Sequence, residues 1–209
     1  MATDNIHRVG FRFVGYTTSA HSSPVELEYQ IADSFSWPDD AAAACTVNVG
    51  DPVKLANTGK LAVAEDGDAL FGVVSQILPY WDGSVMKFSD YIPNANVGGS
   101  IPRANRVMVI PVKDAIFEID CDDASTATTE AAYQAFVGEC CDHYNTRATI
   151  NGRYQLDPKL DISTHGTSGG QWLILGISKT AENRDFAGNY VKLRVTANEY
   201  QLTHAGNGV

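Results

Sequence analysis

Glu118, Asp120, Asp122 and Asp123 are the densest group of carboxylates in the chain, and alternate acids at a strand end offer the oxygen ligands that Ca²⁺ prefers. Their spacing lacks the glycine and the closing glutamate of an EF-hand loop, so a solvated strand terminus is the competing reading. Cys140-Cys141 followed by His143 invites a metal assignment, but adjacent thiols suit a tetrahedral site poorly and no CxxC partner exists; packing cysteines on a helix are the alternative. The five histidines, His7, His21, His143, His165 and His204, fall in no nucleophile motif. Gly166-Thr-Ser-Gly-Gly170 lacks the lysine of a phosphate-binding loop and reads as a flexible connection, and no GxGxxG occurs. Nothing selects a carboxylate pair for glycoside hydrolysis. No residue is assigned to catalysis, to a cofactor or to a metal, and the expectation is a protein that is not an enzyme.

Aromatic residues in loop-like segments point elsewhere. Trp37, Tyr80, Trp81 and Tyr91 stand among Pro, Asp and Gly, where large apolar rings mark partner contacts unless the loop folds back over them. Arg8 and Arg12 are two of the few basic residues and can meet an acidic partner. These six residues are the candidate contact set.

The elements that must position them are mostly strands. A charged fraction of 19% with 18 glycines favours short strands and turns. Val9, Phe11 and Phe13 alternate with Arg8 and Arg12, and Val25, Leu27, Tyr29 and Ile31 alternate with Glu26, Glu28 and Gln30. With polar loops at 17–24 and 34–40, residues 1–40 read either as N-terminal strands or as an arm able to add a strand to a neighbour. Residues 41–209 read as one β-barrel domain. Within it, Asp51–Leu55, Leu61–Ala64 and Ala69–Val74 are a meander turning at Gly59 and Gly67, and 79–105 is a loop excursion with one short strand near 85–88. Arg106–Val112 and Ala115–Asp120 are strands, as are Gln171–Ser178 and Tyr190–Thr196. One helix is expected near 129–144, where Tyr133, Phe136, Val137, Cys140 and Tyr144 share a face behind a Thr128 or Thr129 cap. The expected core is Leu55, Leu61, Val63, Phe71, Val73, Ile110, Ile116, Leu173, Leu175, Leu193 and Val195.

A net charge of −10 with scattered basic residues argues against nucleic acid as a partner. No apolar stretch approaches the roughly 20 residues that span a bilayer, and the amino terminus lacks a signal-peptide pattern, so no membrane partner is expected. Four unevenly placed cysteines do not read as a disulfide framework, and reduced thiols are expected.

Val49-Gly-Asp-Pro-Val-Lys-Leu-Ala56, then Gly59-Lys-Leu-Ala-Val-Ala-Glu-Asp-Gly-Asp68, then Leu70-Phe-Gly-Val-Val74 resemble tailed-phage capsid decoration, or cement, proteins, in which GDxV opens a strand and GDxxFGV closes a small barrel. Arg106–Asp120 resembles the next strand pair, although Lys113-Asp114 stands where a glycine turn is usual. The resemblance covers about a third of the chain. It implies a β-tulip-like barrel, a homotrimer, a place on the outer surface of a bacteriophage capsid after synthesis in the host cytoplasm, and the major capsid protein as partner. The alternatives are another minor virion protein such as a head fibre base, and a carbohydrate-binding or hydrolytic β-sandwich using Trp37, Trp81 and Tyr91 as a sugar platform.

Overall fold

The computed structural model describes residues 9–18, 23–31, 47–82, 84–89, 91–92, 106–122, 127–150 and 153–201. Strands β1 (Arg12–Tyr16), β2 (Leu27–Gln30), β3 (Val47–Asn48), β4 (Pro52–Leu55), β5 (Leu61–Val63) and β6 (Gly72–Ile77) precede a short pair, β7 (Tyr80–Asp82) and β8 (Val85–Lys87). β9 (Tyr91–Ile92), β10 (Arg106–Pro111) and β11 (Ala115–Asp120) lead to helix α1 (Glu130–Ala135). β12 (Cys140–Ile150), β13 (Arg153–Gly166), β14 (Trp172–Ile177) and β15 (Lys192–Ala197) complete the chain.

The fold is mainly β, as expected. A larger antiparallel sheet runs β1-β11-β15-β14-β12-β13 and a smaller one β2-β10-β6-β4-β5. They are not closed into a barrel. Each curls until distant strands touch at a single bridge, Cys121 to Leu160 in the larger sheet and Ile31 to Leu61 in the smaller. One apolar core, with Phe11, Phe117, Ile119, Tyr133, Trp172, Ile174 and Leu193, lies inside the larger sheet and reaches Leu70, Val73 and Ile110 of the smaller sheet's region. A second core, with Val53, Leu61, Phe71, Val74, Val107 and Val109, occupies the other face of the smaller sheet.

Several expectations need correction. The helix is six residues long; Thr129 caps it by accepting from the Ala132 amide at 3.2 Å, but Gly138 at φ +92° ends the turn that follows. The Gly138 amide donates to the Ile174 carbonyl, and Ile174 donates back to Glu139, so β14 captures the chain and Cys140 and Tyr144 lie on a strand. The supposed meander has β4 between β5 and β6. On β11 and β14 the inward residues are Phe117, Ile119, Trp172 and Ile174, whereas Ile116 and Leu173 are only partly buried and Leu175 is exposed. On β14 apolar residues stand at both parities, so alternation alone does not choose and Trp172 takes the inside, whereas on β11 Ala115, Phe117 and Ile119 share the inward parity and Ile116 stands on the parity of Glu118 and Asp120. Val25 and Leu27 are exposed on and beside β2, an edge strand. The excursion at 79–105 contains β7, β8 and β9; residues 93–105 lie outside the described residues.

Phe11 is buried and stacks on Trp172 with ring centroids 4.3 Å apart, and β1 pairs with β11. Residues 11–16 are therefore part of the larger sheet. Two matching turns organise the smaller one. In Asn48-Val-Gly-Asp51 and Glu65-Asp-Gly-Asp68, the Asp amide donates to the carbonyl three residues back and the Asp carboxylate accepts from that same residue's amide, at 2.8 Å and 2.7 Å. Gly50 and Gly67 take φ +97° and +75°, as this turn shape requires. The first turn also joins the sheets, because the Gly50 carbonyl accepts from Phe11 and its amide donates to Val74.

Gly10 and Gly59 have nearly equal φ, +79° and +73°, but a Cβ on Gly10 meets Gly50 backbone at 2.9 Å while one on Gly59 meets nothing within 4 Å. Gly59→Ala is expected to lose only the backbone strain, about 1 kcal/mol. Gly10→Ala is expected to lose a further ~1–3 kcal/mol from overpacking, measured by urea denaturation; equal losses would show that the Gly10–Gly50 approach is unimportant.

Candidate functional site

A polar part of the interior lies where the two sheets meet. His143 of β12 is fully buried; its Nδ1 accepts from the Trp172 indole Nε1–H at 3.2 Å, and its Nε2 is 3.1 Å from the Ala64 carbonyl. Since the indole can only donate and the carbonyl can only accept, the imidazole is the neutral Nε2–H form. Burial holds its pKa below the ordinary value. Asn145 donates to the same carbonyl, and Gln171, also buried, donates to the carbonyls of Glu65 and Asp68. This seam binds the β5–β6 connection to β12 and to the start of β14. Its chemistry is structural, for every polar atom named has a fixed partner.

The acidic cluster is likewise engaged within the chain. Glu118, 3% exposed, accepts from Arg12 at 2.5 Å and from the Ser178 hydroxyl. Asp120 pairs with Lys192, and Asp122 accepts from the Ile162 amide. Asp123 lies outside the described residues. Among the described residues no group of three or more His, Cys, Asp or Glu side chains is placed to hold a metal ion. Burial pushes the Cys121 thiol up to about 12 and raises Cys141 and Cys140, so these three are protonated near neutral pH and poor nucleophiles.

The contact candidates separate. Arg8 and Trp37 lie outside the described residues, and Arg12 is tied to Glu118. Tyr91 is on β9, opposite Asn48. Tyr80 is buried in the second core and anchors the β7–β8 hairpin. Trp81 is 43% exposed and sits across from Met86. Phe88, 79% exposed, follows Met86, 45% exposed, at the same parity, while Val85, 56% exposed, stands opposite Asp82 on the other face; this hairpin region carries four of the eight large hydrophobic side chains found exposed among the described residues. Register Asp82 to Val85 leaves only Gly83-Ser84 between the strands, a spacing that forces a tight hairpin. A two-stranded ribbon has only one face to lay on a core, which leaves the other, here with Trp81 and Met86, exposed. Val85, Met86 and Phe88 escaped the sequence reading because Val-Met-Lys-Phe gives no clean alternation; the short strand itself was visible.

The chain has no significant match to any family model, curated protein or solved structure. Among the described residues no helix is long and apolar enough to cross a membrane.

Asp51 provides a pH test of the inter-sheet turn. Its side chain is wholly buried, Oδ2 is held by the Asn48 amide, Oδ1 has no hydrogen-bond partner, and Asp157 adds a nearby negative charge. Desolvation pushes its carboxyl up from 3.8 to about 8. Between those values the folded state keeps a proton that the unfolded chain has released, so this group's stabilisation is present below 3.8 and is lost as pH rises towards about 8. Asp51→Asn removes that dependence. The variant is expected to gain stability relative to wild type on going from about pH 5 to about pH 8 in urea titrations; a constant difference would refute the assignment.

Proposed function

We propose that this chain is a non-enzymatic virion protein that decorates a phage capsid, bridges major capsid protein subunits as a homotrimer, and seats itself through the β7–β8 hairpin. The observation that carries the reading is the exposed pair Trp81 and Met86 on one face of a hairpin anchored by buried Tyr80, with exposed Phe88 just beyond it. Contiguous apolar side chains held in water are unfavourable unless a partner covers them, and aromatic residues dominate the energetics of such contacts. The residues that resemble cement proteins support it from another direction. Asp51 and Asp68, the acids of the two GD motifs, make equivalent side-chain-closed turns, so the motif has a physical role in β4, β5 and β6. A docking protein of this kind works by interface area and complementarity and needs no reacting group.

An exposed Trp81 also fits stacking on a sugar ring, the specific point in favour of a carbohydrate-binding protein. The two readings part in one set of measurements. Gradient-purified virions are expected to contain the protein in numbers comparable to the major capsid protein, and a head fibre base would appear at a few copies. Trp81→Ser and Phe88→Ser should each weaken co-sedimentation with capsids at least about tenfold while leaving thermal unfolding unchanged, since both rings lie outside the cores. Absence from virions combined with glycan-array binding would overturn the capsid reading.

A further inference from the structure

The larger sheet places an acid opposite an amine at a fixed register position. Asp120 of β11 and Lys192 of β15 are Cα partners in the antiparallel ladder, and Lys192 Nζ stands 3.2 Å from Asp120 Oδ1. The two side chains are 2% and 1% exposed. Strand pairing fixes one side, and the buried Asn183 fixes the other: its Oδ1 accepts from the Lys192 amide and its Nδ2 donates to the Lys192 carbonyl, both at 3.0 Å. The next side chain on this face of β11 is the buried Glu118, about 7 Å away along the strand. It is held by Ser178, whose amide donates to the Lys192 carbonyl.

Keeping an ammonium and a carboxylate this far from water is costly, and passing one proton from Nζ to the carboxylate removes both charges. Condensation would draw on that neutral pair, and Nζ already stands 3.2 Å from an oxygen of the carboxyl group it would attack. We propose that Lys192 and Asp120 condense into an amide crosslink between β11 and β15. Nζ forms a bond to Cγ, one Cγ–O bond breaks, and that oxygen leaves as water with the carboxyl proton and one amine proton. No oxidant or reductant takes part. The product nitrogen keeps one hydrogen, and the Tyr190 carbonyl, 3.3 Å from Nζ, is already in place to accept it. The inference does not depend on the capsid reading.

Intact mass spectrometry of the wild-type protein, taken from a sample that unfolds cooperatively, decides the matter. The expected mass is one water below that of the sequence, and proteolysis should give a branched peptide joining Asp120 to Lys192. Lys192→Met and Asp120→Ala should each show their full sequence mass. Folded wild type at full mass would overturn the crosslink, whether or not any variant folds.

Discussion

His143 can serve Trp172 and Ala64 together only while its imidazole is neutral with the proton on Nε2, because a second proton would set two donors against each other across 3.2 Å. Much else depends on that arrangement. Trp172 has Phe11 stacked on one side and Phe117 edge-on at 5.9 Å, so its orientation sets the aromatic packing of the larger sheet's core. Ala64 belongs to the connection that carries the second Gly-Asp turn, which Gln171 grips through two further carbonyls. A buried polar network in which His143, Trp172 and Gln171 are all partnered fixes one register, whereas two apolar faces alone would tolerate sliding.

Rigidity at the seam bears on the hairpin. Tyr80 is packed in the second core beside Ile77, at the end of β6, so the ribbon that carries Trp81 and Met86 moves with the smaller sheet. The first Gly-Asp turn adds another tie, running from Phe11 through Gly50 to Val74. In the docking role proposed above, side chains held in place this way would lose little freedom on binding.

Strands bounded by glycine turns were legible in the amino-acid sequence because Gly59 and Gly67 mark positions that only glycine occupies without strain. The parity of β14 was not, since Leu173 and Ile174 are apolar neighbours and tertiary packing decides between them, while on β11 the alternation of Phe117 and Ile119 with Glu118 and Asp120 marks the inward face and leaves Ile116 off it. The long β12–β13 hairpin was hidden for a different reason. Its inner face carries His143 and Asn145, polar residues that serve the seam, so the apolar alternation of a half-buried strand is missing. The helical spacing from Tyr133 to Tyr144 arose from a true helix whose pattern continued by accident past Gly138. At the candidate site, Trp81 was identifiable as a loop aromatic, while the exposed Arg12 also pairs with Glu118, a partner 106 positions along the chain that no local pattern reveals.

Nitrogen-15 NMR of the His143 imidazole, followed with the Trp172 indole proton, addresses the seam directly. The neutral Nε2–H form should persist as pH falls below the ordinary histidine value of 6.5, and the indole N–H should exchange slowly with solvent until the protein unfolds. A ring that gains its second proton near 6.5 in folded protein, with a rapidly exchanging indole, would contradict the claim that this histidine locks the two sheets together.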